Sequence, residues 1–160
     1  MDKTVSFEYY IRPLWYVVGE IRDKVEALLE FENSLNDACK MVSSELLENA
    51  LKYGTCLKRG SDTRFEFTAD EKQIRIEVSN DIYSEDDYKS LKDNIDQINA
   101  SDNVRNLYIE RLRLMMENTK MVKSQLGLYR ITYEGKFKLS YQLEDTRLTI
   151  TAIRELESKN

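Results

Sequence analysis

The most informative run in the chain is Ser43-Ser44-Glu45-Leu46-Leu47-Glu48-Asn49-Ala50-Leu51-Lys52-Tyr53-Gly54. On a helix turning about 100° per residue, Leu35, Cys39, Val42, Leu46, Ala50 and Tyr53 share one apolar stripe. Glu45, Asn49 and Lys52 fall within roughly 60° of one another along a border of that stripe. A carboxylate, an amide and an ammonium are thereby aligned where a packed helix meets a cavity or solvent. A solvated i,i+4 Glu45–Asn49 pair is the plainer reading of the same spacing. Gly54 supplies the C-terminal stop.

Upstream, residues 4–12 alternate Val5, Phe7, Tyr9 and Ile11, the signature of a strand. Pro13 suits a helix start, and Leu14, Val17, Val18, Ile21, Val25, Leu28 and Leu29 keep helical period to Phe31. Asn33 or Ser34 caps the helix that runs to Tyr53. Downstream, Arg64–Thr68 and Ile74–Val78 alternate about Ala69-Asp70-Glu71-Lys72 and predict a hairpin with one face buried. Asn80-Asp81 reads equally as a strand-ending turn.

Ser84 with Asp87 predicts a helix carrying Tyr88, Leu91, Ile95 and Ile98 inward. Another begins at Ser101-Asp102, with Val104, Leu107, Tyr108, Leu112 and Met115 inward, Arg105, Arg111 and Arg113 outward, and Met115 and Met116 as core filler. A last helix contains Leu126-Gly127-Leu128 and ends at Gly135. Lys136–Leu143 and Arg147–Ile153 form a final hairpin, and residues 154–160 a polar tail.

At 160 residues the chain is expected to be a single domain, 1–160, with ordinary apolar and charged fractions of 41% and 33%. A net charge of −5 argues against nucleic acid as a partner. No apolar run reaches membrane-spanning length, and no signal-peptide pattern opens the sequence, so cytoplasm is the expected location. Cys39 and Cys56 are too few for a disulfide framework. The chain has no histidine, which excludes His-dependent triads, His-ligated zinc and phosphorylation on a histidine of its own.

The nine residues from Glu45 to Tyr53 resemble the N-box of the GHKL (Bergerat-fold) ATPases, the superfamily of histidine-kinase catalytic domains and anti-sigma-factor serine kinases. The resemblance implies an α/β (α+β) two-layer sandwich, a mixed but largely antiparallel sheet with helices on one face. It implies that Asn49 holds the Mg²⁺ of Mg-ATP, Glu45 acts as general base, and Lys52 contacts phosphate. The strand ending near residue 80 stands where the family has its adenine-reading Asp-x-Gly. Here Asn80-Asp81-Ile82 replaces it, with Asn80 in the adenine role; Asp81 is expected to point to the other side. Lys123-Ser124-Gln125-Leu126-Gly127-Leu128 is similar to the phosphate-binding G2 box, with Gln125 where the first Gly is expected. Gly127 and Leu128 would offer amides, and Lys120 and Lys123 charge. Residues 83–124 occupy the ATP-lid position as a helical insert without glycine.

Short length and the missing histidine make the chain most similar to the anti-sigma-factor/serine-kinase branch. Its members bind ATP and phosphorylate a Ser or Thr on a STAS-type antagonist, or sequester a sigma factor, and are often dimers. Three functions follow: a kinase-like ATP-binding regulator, a degenerate relative that recognises a protein without nucleotide, and an unrelated α/β binding domain with a chance N-box.

Overall fold

The computed structural model describes residues 4–11, 15–28, 33–53, 63–117 and 124–157. Its elements are β1 (Val5–Ile11), α1 (Trp15–Leu28), α2 (Asn33–Tyr53), β2 (Thr63–Ala69), β3 (Gln73–Asp81), α3 (Glu85–Ala100), α4 (Val104–Glu117), α5 (Ser124–Tyr133), β4 (Lys138–Glu144) and β5 (Arg147–Glu155). Each expected strand and helix forms, but β5 runs on through Arg154 and Glu155, which the sequence assigns to a polar tail; Gly54 lies outside the described residues.

Among the described residues five strands form one sheet in the order β1-β2-β3-β5-β4. The expected two-layer α+β sandwich forms, and its largely antiparallel sheet is antiparallel at every neighbouring pair. The connection explains why. Three helices carry the chain from the end of β3 back to the start of β4, so β4 runs in the direction of β3. The β4–β5 hairpin then inserts β5 between them, antiparallel to both.

Local chemistry sets the turns. Asp70 Oδ1 accepts from the Lys72 and Gln73 amides at 2.7 and 2.9 Å, closing the β2–β3 hairpin. Those two amides hold the Asp70 carboxyl below the usual carboxylate range. Ser84 caps α3 by accepting from the Asp87 amide at 3.2 Å. Gly135 leaves α5 where a β-carbon would stand 2.6 Å from the Ile131 carbonyl oxygen, and Asp145 turns the last hairpin with φ 54°.

Strand alternation separates two faces. Phe65, Phe67, Ile74, Ile76, Val78, Leu148, Ile150 and Ala152 are buried in one core with Cys39, Val42, Leu46 and Leu47 of α2 and Leu128, Tyr129 and Ile131 of α5. The opposite face is polar: Arg64 pairs with Glu8 at 2.9 Å, with Glu77 at 3.5 Å, and with Glu66. Burial pushes the Cys39 thiol up to about 12, so it is an inert core residue.

Helices α3 and α4 are tied to α5 by one polar cluster. Asn94 of α3 accepts at Oδ1 from the Tyr129 hydroxyl of α5 at 2.7 Å and from Arg111 of α4 at 2.8 Å. The Arg111 guanidinium lies 5.0 Å over the Tyr129 ring. Arg111 therefore faces inward, contrary to expectation, because a guanidinium can stack and donate at once. Met116 is the other correction: it is 85% exposed, not core filler. Helix α4 has no buried residue at all.

Candidate functional site

Helix α2 packs on β3 and α5, and its polar border therefore faces two neighbours. Toward β3, Asn49 is 3% exposed and its Nδ2 has no hydrogen-bond partner. A buried unpaired donor costs about 1–3 kcal/mol, and the Ser43 hydroxyl of the same helix is buried without a partner too. Asn49 lines a cleft with Leu46, Ala50, Tyr53, Val78, Asn80, Leu91, Leu148 and Ile150.

Asn80 sits on the helix-facing side of β3, opposite Leu148 of β5. Its Nδ2 donates to the Ala50 and Asp81 carbonyls at 3.5 and 3.3 Å. Asp81 faces the other side, 3.9 Å from Arg147, as strand geometry required. Ile82 is buried, and its amide donates to the Thr146 carbonyl at 2.8 Å. An apolar side chain thus fills the position where the Bergerat pattern has Gly.

Toward α5, the Glu45 carboxylate rests on Gly127. A β-carbon added there would collide with Oε2 and lie 3.1 Å from Cδ. Arg130, one turn on, donates from Nη1 to Glu45 Oε1 at 3.3 Å and from Nε to Glu134 Oε2 at 2.7 Å. The Tyr108 hydroxyl of α4 donates to Glu134 Oε1 at 3.0 Å. Burial, then the Glu48 charge, pushes the Glu45 carboxyl up; Arg130 and Lys52 pull the other way. Glu45 is therefore a carboxylate readier than usual to hold a proton, as a general base needs.

The site so divides in two. Asn49 and Asn80 meet in the cleft; Glu45 and Gly127 meet at the α2–α5 contact, one helical turn from Asn49. Lys52 is exposed beside them. Leu128 is the fifth residue of α5, one beyond the four amides that a helix leaves unpaired, and its side chain is 1% exposed in the core. Lys120 and Lys123 lie outside the described residues. Sequence reasoning missed Arg130, whose only signal was its spacing of three from Gly127 on a helix. It also missed the Asn94–Tyr129–Arg111 cluster, whose members come from three helices.

A chain of the SiaB–SiaC complex from Pseudomonas aeruginosa has a similar structure. The TM-score is 0.68, over 94% of this chain and 88% of that one, with 18% of residues identical. At that identity the likeness is one of fold. No protein-family model and no curated protein matches the sequence. Among the described residues no helix is long and apolar enough to cross a membrane.

One feature fits Mg-ATP, the orphaned buried amide of Asn49; the space beside Gly127 is filled by the Glu45 carboxylate, which would have to move before a phosphate could lie there. The cleft itself, at about 10 Å³, has room for one water and none for a nucleotide base.

Proposed function

We propose that this chain is a regulatory protein of the serine/threonine-kinase kind, which binds Mg-ATP between α2, β3 and α5 and acts on a protein partner. The observation that carries the reading is the unpaired buried amide of Asn49, which lines the cleft together with Asn80. The N-box resemblance and the Bergerat-like element order support it. The similar solved structure belongs to a complex of two proteins, which supports a protein partner. That partner is of the STAS-domain antagonist or sigma-factor type, as the resemblance implies.

Asn49 would hold the Mg²⁺, and Asn80 would meet the adenine edge. Lys52 and the first-turn amides of α5 up to Gly127 would meet phosphate, with Lys123 adding charge. Bound Mg-ATP supplies the phosphoryl group and neutralises its charge. Glu45 takes the proton from the acceptor hydroxyl. Arg130 orients Glu45 and keeps a cation beside it, so the base is ionised when needed yet able to keep the proton afterwards.

A second reading is favoured by the narrow cleft and by the Glu45 carboxylate lying on Gly127. In it the chain recognises its partner without nucleotide. Calorimetric titration with ATP, with and without Mg²⁺, separates the two beside Asn49→Ala. Saturable Mg²⁺-dependent binding that the substitution removes supports the first; no heat at millimolar ATP leaves the second.

A further inference from the structure

Helix α4 packs on one side only. Val104, Leu107 and Tyr108 lie against the core, with Arg111 on Tyr129. Opposite them, Arg105, Ile109, Arg113 and Met116 fall within about 80° of arc. All four are exposed, Ile109 by 46% and Met116 by 85%. With half-buried Leu112 at the border, the apolar residues stand at i, i+3 and i+7, the spacing of a helix that enters a groove. Neither arginine makes an ion pair with a described residue. Two unpaired cations flanking exposed apolar anchors are unusual on a chain of net charge −5.

We infer that the outer face of α4 is a docking helix, whose Ile109, Leu112 and Met116 enter an apolar groove on a partner protein with carboxylates on its rim for Arg105 and Arg113. The inference rests on the partner-protein half of the function proposed above. Charge decides the occupant. A second copy of this chain offers carboxylates on the exposed side of α3, at Glu85, Asp86, Asp93 and Asp96, but no large apolar side chain among them to receive Ile109 and Met116. An anionic lipid surface would meet Glu110 and Glu117 beside a narrow apolar stripe, and a net negative chain.

A photo-crosslinking amino acid replacing Met116, with Glu71 on the β2–β3 turn as the control position, tests this in the cells that make the protein. The expected result is one protein adduct whose linked peptide borders an apolar groove with Asp or Glu at its rim. R105E/R113E should lower its yield at least ~tenfold, and reversing the partner's rim carboxylates to Lys should restore it. An adduct with a second copy, a phospholipid adduct, no adduct, or one indifferent to charge reversal overturns the inference. Mg-ATP titration of R105E/R113E is unchanged under it. Loss of nucleotide binding in the unsubstituted protein would sink the kinase reading and leave the α4 result to stand by itself.

Discussion

Gly127 of α5 and Glu45 of α2 are in such close contact that the glycine has no room for a β-carbon while the carboxylate stays where it is. The obstacle is the far end of a flexible side chain, so Gly127→Ala displaces Glu45 rather than the helix. Alanine also favours the helix by about 1 kcal/mol over glycine. Stability should therefore change by less than about 1 kcal/mol by urea denaturation, while Mg-ATP affinity falls severalfold. A large loss of stability would show that the α2–α5 contact is rigid instead.

Gly135 offers the opposite case. Its β-carbon would meet a backbone oxygen, Ile131 O at 2.6 Å, and the Val42 methyl at 3.0 Å. Neither can swing away, so Gly135→Ala should cost about 1–3 kcal/mol as overpacking. Comparing its urea midpoint with that of Gly127→Ala gives the contrast directly.

Asn49→Leu is expected to stabilise the fold and destroy the site. Leucine has the same branched shape, though it is bulkier, and it removes a buried donor without a partner, a gain of about 1 kcal/mol. Thermal unfolding should show a higher midpoint, and calorimetry no Mg-ATP binding. A lower midpoint would mean that the amide serves the fold.

Tyr129→Phe removes one hydroxyl that lies 2.7 Å from Asn94 Oδ1 and 2.9 Å from Gln97 Oε1. The buried Asn94 Oδ1 loses one of its two donors and keeps Arg111, while Gln97 is exposed to solvent, so the cost is about 1 kcal/mol. Because the cluster joins α3, α4 and α5, hydrogen exchange should accelerate in α3 and α4 before the sheet. Uniform acceleration would refute a local tie.

The Glu45 carboxyl titrates above its ordinary 4.5, chiefly through burial. The folded chain thus keeps this proton to higher pH than the unfolded chain does. The stability contributed is complete below the ordinary value and lost as pH rises through the folded one. Wild type should therefore lose stability relative to Glu45→Gln between about pH 4.5 and neutrality. Parallel urea titrations of the two proteins check it; a difference that stays flat across this range refutes it.

Local chemistry along the chain was enough to place every strand and helix, because period-2 and period-3.6 alternation, the Ser84 cap and the Asp70 turn act between near neighbours. It was also enough to align Glu45, Asn49 and Lys52, since one helix sets their directions. The side of β3 that Asn80 takes followed from the same logic. Only packing decided that Asn49 ends buried without a partner, that Arg130 arrives at Glu45 from 85 residues away, and that Arg111 turns inward while Met116 stays out. Contacts between elements depend on where whole helices come to rest, and no short-range pattern carries that information.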